Sequence, residues 1–513
     1  MTGPGVRPSR RAFVIGGLAA AGSVLTASGR SALASVPFPF RLGVASGEPE
    51  ADSVVLWTRL APSPLDDDGH GGMGPGDVVV DWQVSDSPAF ARVVSSGSVT
   101  ARHVDTHAVH VVAGGLAPDA EYWYRFRAQG HISPVGRTRT APAPGAAGRD
   151  LVMSFASCAH WEQGYYTAYR RMAEDRPDLI LHLGDYVYEY AGSPRALRRH
   201  LGGETITLAD HRRRYAQYKT DPDLQAAHAA APWLAVPDDH EVENNYAGGL
   251  RVDDKPHLTA AQFAARRTAA YRAYYENLPL RPAQAPSAHG SRFYRRVRWG
   301  RLATFHMLDT RQFRDDQACH DGLRDCADAD RPVRSITGGA QEAWLLDGLA
   351  RHEATWDVLG QQVFFAGRLD ASGRADMDTW DGYRASRARI QDGWTARGVR
   401  NPLVLTGDVH CSWANDLKAD YRDERSPTIG TELVCTSISS GGDGSGSTAI
   451  PTGDVNPHLR FFSARRGYVR TAISRSQVQV DFRAVASVSE HGAPATTAGS
   501  FTVLDGRPGL QEL

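Results

Sequence analysis

The stretch Leu179-Ile-Leu-His-Leu-Gly-Asp-Tyr-Val-Tyr188 limits the folds open to this chain more than any other. It begins as an apolar run, the pattern of a strand covered on both faces. It breaks at Gly184 and sets Asp185 at the strand exit, with Tyr188 three residues on. A carboxylate and a phenol end a core strand poorly and hold a metal ion well. In open α/β sheets, ligands bind in the crevice at the carboxyl ends of the strands. Taken alone, the pair reads equally as a strand cap and a packed ring, so the other strand ends must decide.

Four further apolar runs end in the same kind of chemistry. They close on Ser157-Cys158-Ala159-His160, Asp238-Asp239-His240-Glu241, Leu308-Asp309-Thr310-Arg311 and Gly407-Asp408-Val409-His410. One such ending is an ordinary cap; five at successive strand ends converge on one sheet edge as a metal centre. Asp185-x-x-Tyr188 lets a carboxylate and a phenol reach one ion around a turn. Thiolate and phenolate together favour high-valent iron over zinc or magnesium. Asp408 and His410, two apart, point to the same side of an extended segment. Asp239 and one of Asn244 or Asn245 are oxygen donors suited to calcium. With Asp185 as the bridge, the pattern is that of a two-metal site for phosphoryl transfer.

Other features read more plainly. Asp309 and Arg311 serve equally as phosphate-orienting groups or as an ion pair between elements. Arg213 and Arg214 read as solvated charges on one long helix over 208–231. The run Ser439-Ser-Gly-Gly-Asp-Gly-Ser-Gly-Ser447 reads as a flexible surface or lid loop. It lacks the lysine and following helix of a phosphate-binding loop.

Residues 1–34 read as a twin-arginine signal peptide. Ser9-Arg10-Arg11-Ala12-Phe13-Val14 precedes a short apolar segment, and Ala32-Leu-Ala34 fits a cleavage site. Such a signal implies the twin-arginine export machinery as a partner and a secreted or cell-wall-associated product. No other run approaches the ~18 apolar residues of a membrane span. Residues 35–142 show short alternating strands punctuated by Gly and Pro, the grammar of a small all-β, fibronectin- or Ig-like sandwich. Residues 143–513 switch to strand–helix alternation, an α/β catalytic domain. A net charge of -1 removes any global basic field that would argue for nucleic acid. Of five cysteines, Cys319 and Cys326 are close enough to bridge, and Cys158 is the one expected to stay unpaired.

Asp185-x-x-Tyr188, Asp238-Asp-His-Glu-Val-Glu-Asn-Asn245 and Gly407-Asp-Val-His410 resemble the motifs of the PhoD-type alkaline phosphatases, a branch of the calcineurin-like metallophosphoesterases. Leu42-Gly-Val-Ala-Ser-Gly-Glu-Pro49 resembles that family's N-terminal β domain. Phospholipases D of the same type share the pattern. The resemblance implies a metallophosphoesterase βαβ sandwich and a phosphate-ester substrate, hydrolysed by a metal-bridged hydroxide at a centre of Fe3+ and Ca2+. Cys158, Asp185, Tyr188 and His410 would hold iron; Asp185, Asp239 and Asp408 would hold calcium, with Asn245 as a further ligand. The superfamily's Asn falls on Asp239 here, and Gln361 stands near the place of a superfamily His ligand. His240 would stabilise the leaving oxygen or the transition-state charge as a catalytic acid. The alternatives are a phospholipase D acting on lipid diesters and, more remotely, a non-catalytic secreted binding protein.

Overall fold

Two β-sheets pack face to face in the computed structural model of the chain, which describes residues 36–251, 258–287 and 290–512. The signal peptide read at 1–34 lies outside the described residues. The apolar runs form the centres of both sheets. Leu151–Ala156, Leu179–Leu183 and Pro232–Val236 lie parallel in the first. Ala303–Met307, Trp356–Gly360, Pro402–Thr406 and Thr428–Val434 lie parallel in the second. Phe155, Leu181, Leu183 and Leu234 of one sheet meet Phe305, Val358, Leu405 and Leu433 of the other in a shared core. Burying each such side chain contributes about 1.5–3 kcal/mol.

Helices cover both outer faces, which is why these strands are apolar throughout rather than alternating. Tyr169 and Met172 of Thr167–Glu174, Tyr215 of Leu208–Lys219 and Phe263 of Ala260–Asn277 share a core with Ile180 and Trp233. Leu345 of Gly338–Leu349 and Ile390 of Arg384–Ala396 share another with Leu359 and Val404. The single helix expected over 208–231 is in fact two, Leu208–Lys219 and Pro222–Ala230. Pro222 cannot extend the preceding helix but starts the next one well, where the Asp221 side chain accepts from the backbone N–H groups of Asp223 and Leu224. Its arginines are not solvated as expected. Arg212 is buried against Glu276, Arg214 is buried with its guanidinium donating to the Tyr188 carbonyl, and half-buried Arg213 pairs with Asp67.

The N-terminal strands divide between two layers. Val78–Ser85, Val93–Ala101 and Glu121–Ala128 form a sheet of their own, together with two short strands. Its Val80, Val84, Tyr124 and Phe126 pack on Val54, Leu56 and Val109 from the other layer. That layer, Val44–Gly47, Val54–Arg59 and Ala108–Ala113, continues the large sheet, because Val44–Gly47 pairs parallel with Pro232–Val236. The small sandwich and the catalytic domain therefore share a sheet. Two antiparallel hairpins complete it beyond Leu151–Ala156: Gly467–Ile473 with Gln477–Val485, and Ala495–Leu504 with Arg507–Glu512. Among the described residues, no helix is long and apolar enough to cross a membrane.

Candidate metal centre

The strand exits read from the sequence meet at one place. Single donor atoms of Cys158, Asp185 and His410 lie within 4.8 Å of one another, as do those of Asp185, Asp239 and His240, and those of Asp238, Asp239 and Asp408. Asp185 belongs to the first two groups and Asp239 to the last two. Tyr188 joins the first: its Oη donates to Asp185 Oδ2 at 3.0 Å and lies 3.2 Å from His410 Nε2.

The backbone turns sharply to bring these groups together. Cys158, Asp185, Asn245, Asp408 and His410 all have φ between 51° and 62°. None is glycine, so each left-handed residue costs about 1–2 kcal/mol, strain of the kind stored at functional sites. Gly184 precedes Asp185 at φ 101°, where a Cβ would stand 2.3 Å from the Asp238 Cβ. At Gly407 a Cβ would stand 2.9 Å from the Leu183 carbonyl and the Ser157 Cβ. Only glycine lets the exits approach so closely.

Buried groups fix each donor. Glu241 accepts from the backbone N–H of Asp185 at 3.1 Å and of Asp238 at 2.6 Å, and so straps two exits together. His240 Nδ1 is 2.7 Å from Glu189 Oε2, and its ring lies 4.1 Å from the Tyr188 ring. Glu189 also accepts from the Asn244 N–H. Asn245 donates from its backbone to Asp239 Oδ2 at 2.7 Å and from its side chain to Asp321 at 2.8 Å, which leaves Asn245 Oδ1 as the amide's acceptor. Asn244 instead faces Tyr190. Arg311 is fully buried, pairs with Asp238 and Asp378, and stands 3.4 Å from Asp239 and 3.8 Å from Asp408. It is an ion pair within the centre, and Asp309 is bonded within its own loop to Gln312.

The electrostatics fit a metal. Burial, then the neighbouring Asp185 carboxylate, pushes the Cys158 thiol well up, and burial does the same to the Tyr188 phenol. Burial raises Asp185 strongly and lifts Asp408 to about 7. Four anionic donors are thus disfavoured together unless a cation joins them. Burial holds His410 down at about 3, a neutral imidazole suited to ligation. Asp238 Oδ2 and Asp239 Oδ1 are buried without a hydrogen-bond partner among the described residues, Asp239 Oδ1 having the Arg311 guanidinium 3.4 Å away, so both keep lone pairs for a cation. Burial opposes charge on His240, but Glu189, Asp239 and Asp185 outweigh it and raise its pKa well up.

The structure brings Cys158, Asp185, Tyr188, Asp239, His240, Asn245, Asp408 and His410 together, whereas Gln361 is bonded elsewhere. Its amide donates to Thr406 and the Val363 carbonyl and accepts from Trp380, bonds that hold it within its own surroundings. The loop at 439–447 is not a lid where it begins: Ser439 and Ser440 are buried, and Ser440 Oγ is 2.7 Å from Tyr188 Oη. Sequence reasoning passed over Glu189, Glu241, Asp378 and Ser440. It also gave no role to His160, whose ring lies 4.3 Å from that of Tyr188 and whose Nδ1 accepts from the Glu162 N–H. His160 and Glu241 stood inside strand-end motifs already marked, and Ser440 inside the Ser439–Ser447 run read as a surface or lid loop. Cys319 and Cys326 form a disulfide; Cys158, Cys411 and Cys435 are free thiols.

The sequence profile of the PhoD-like phosphatases matches residues 152–482, and that of the same family's N-terminal domain matches residues 26–142. Alkaline phosphatase D of Bacillus subtilis (strain 168) is 46% identical over 488 residues, which span 93% of this chain and 82% of that protein. A solved structure of PhoD is 45% identical with a TM-score of 0.89, over 93% of this chain and 92% of that one.

Proposed function

Because the chain belongs to the PhoD-like phosphatase family and is a metal-dependent phosphoric-ester hydrolase, we propose that it acts at a binuclear or larger centre of Fe3+ and Ca2+ and is exported. Cys158, Asp185, Tyr188 and His410 hold the iron. Asp185, Asp239, Asp408 and Asn245 hold the calcium. When bound, the ions supply Lewis acidity that activates water and takes up charge on the transferring phosphoryl group. The observation that carries this reading is the position of Asp185, common to a group with the Cys158 thiol and the His410 imidazole and to a group with Asp239 and His240, which Asp239 in turn links to Asp238 and Asp408. Unlike donor sets on the two sides of a shared carboxylate suit unlike ions.

The side chains around the ions have separable tasks. His240 is the catalytic acid. Glu189 holds its Nδ1, so Nε2 is left to protonate the leaving oxygen. Arg311 balances the carboxylates of Asp238, Asp239 and Asp408 without leaving the core. Glu241 keeps two exits in register through backbone N–H groups. Residues 1–34 serve as the twin-arginine signal, 35–142 as the β-sandwich domain and 143–513 as the catalytic domain. The twin arginines at Arg10 and Arg11 support export to the outside or the cell wall.

Turnover of p-nitrophenyl phosphate, bis-p-nitrophenyl phosphate and phosphatidylcholine at alkaline pH, with and without a calcium chelator, tests this reading. Hydrolysis of the first two that stops on chelation is expected. Activity confined to phosphatidylcholine would favour the phospholipase D alternative, which the alkaline phosphatase relatives do not favour. No turnover of any of the three would contradict the reading.

A further inference from the structure

We propose that residues 436–442 form a clasp that positions the iron side of the centre, with Ser440 donating a hydrogen bond to the Tyr188 oxygen. The inference rests on the iron reading above. It is independent of the metal ligands themselves, because no residue of this segment is one.

The segment touches three of the four iron donors. Thr436 Oγ1 is 3.0 Å from the His410 carbonyl. Ser437 forms a parallel bridge with Ser157, and Ile438 N–H donates to the Ser157 carbonyl at 3.0 Å, so the chain runs alongside the Cys158 exit. The backbone N–H groups of Ser439 and Ser440 both reach the Cys158 carbonyl, at 3.4 and 3.3 Å. Ser439 Oγ donates to the His160 carbonyl at 2.8 Å. Ser440 Oγ lies 2.9 Å from the Cys158 carbonyl and 2.7 Å from Tyr188 Oη. The far end is tied as well. Gly441 N–H donates to Gln163 at 2.5 Å, and Arg466 donates both to the Gly442 carbonyl at 2.9 Å and to the His410 carbonyl.

A hydroxyl has one proton, and Ser440 has two acceptors in reach. A carbonyl is a neutral acceptor, whereas a metal-bound tyrosine is anionic. Hydrogen bonds to charged oxygens are about twice as strong as neutral ones, so the Ser440 proton goes to Tyr188. That bond draws electron density from the phenolate. It lowers the energy of the donor orbital and raises the energy of the tyrosine-to-iron charge-transfer transition. Partners of this kind orient and tune metal ligands elsewhere, and their loss typically costs 10–100-fold in affinity or activity.

The test is the visible spectrum and iron content of the full metal-loaded protein carrying Ser440→Ala. The charge-transfer band is expected to move to lower energy. kcat for p-nitrophenyl phosphate should fall about tenfold with KM changed less than about twofold, as for loss of one supporting group. Ser440→Thr, which keeps the hydroxyl, should restore the wild-type band. Thr436→Val, which removes a hydroxyl bonded to the His410 and Arg465 carbonyls and to Arg466 but not to Tyr188, should leave it in place. If Ser440→Ala is not obtained folded, Ser440→Cys, a poor donor, gives the same reading. A band unmoved in Ser440→Ala, or moved equally in Thr436→Val, overturns the proposal. A wild-type protein that holds iron but shows no such band overturns the Tyr188–iron assignment, and this inference with it.

Discussion

Tyr188 Oη meets Asp185, His410 and Ser440 at once. Removing that single oxygen tests its role as a donor. Tyr188→Phe is expected to abolish the charge-transfer band and to lower iron content and kcat by 10-fold or more, the scale of a disturbed metal site. Elemental analysis beside the spectrum checks it; full iron with an unchanged band would remove Tyr188 from the centre. Glu189 acts at one remove. Glu189→Gln keeps the shape but weakens the hold on His240 Nδ1. Its kcat should fall about 10–100-fold while metal content stays at the wild-type level. An unchanged kcat would deny His240 the role of acid. The donors were legible because thiol, phenol, carboxylate and imidazole are rare endings for apolar strands. Glu189, Glu241 and Ser440 were not, because they act on backbone N–H groups and on partners distant in sequence. The left-handed backbone at Cys158, Asp185, Asp408 and His410 was also hidden, since no glycine marks it.

The central strands were legible because helices cover both faces and make them continuously apolar. The helix Gly338–Leu349 was not read. Its N-terminal flank, Thr337, carries no side-chain capping hydrogen bond that a sequence motif would announce. The antiparallel edge strands escaped for a related reason. Ala495–Leu504 carries Ala, Thr, Gly and Ser along much of its length and reads as loop. The disulfide loop was read correctly as a bridge but not as part of the site. Cys319 and Cys326, seven apart, enclose Asp321, whose carboxylate holds the Asn245 amide. Replacing both cysteines by serine should destabilise the fold by about 2 kcal/mol through the freed short loop. Because Asn245 bonds Asp239, it should also weaken calcium more than iron. Calcium titration against denaturant unfolding checks both effects. Equal loss of the two metals would show that Asp321 does not act through Asn245.

At the scale of the whole molecule the centre is a pool of buried acid bridging two sheets. Burial lifts Asp408 and Glu241 to about 7 in the absence of a cation. Folding then favours their protonated forms. Stability from these two groups is full below the ordinary carboxylate range near 4 and falls as pH rises toward about 7. A bound cation reverses the preference, and its affinity grows as the carboxylates ionise. The gap in Tm between metal-loaded and chelated protein should therefore widen from pH 5 to pH 8. A constant gap would mean that the acids are balanced by the protein alone, through Arg311. The most direct measurement is metal content paired with turnover. Purified full-length protein should hold about one iron and at least one calcium per chain. Chelation of calcium should stop hydrolysis of p-nitrophenyl phosphate with iron retained, and added calcium should restore it. Full activity in protein that holds neither metal would contradict the Fe3+–Ca2+ centre outright.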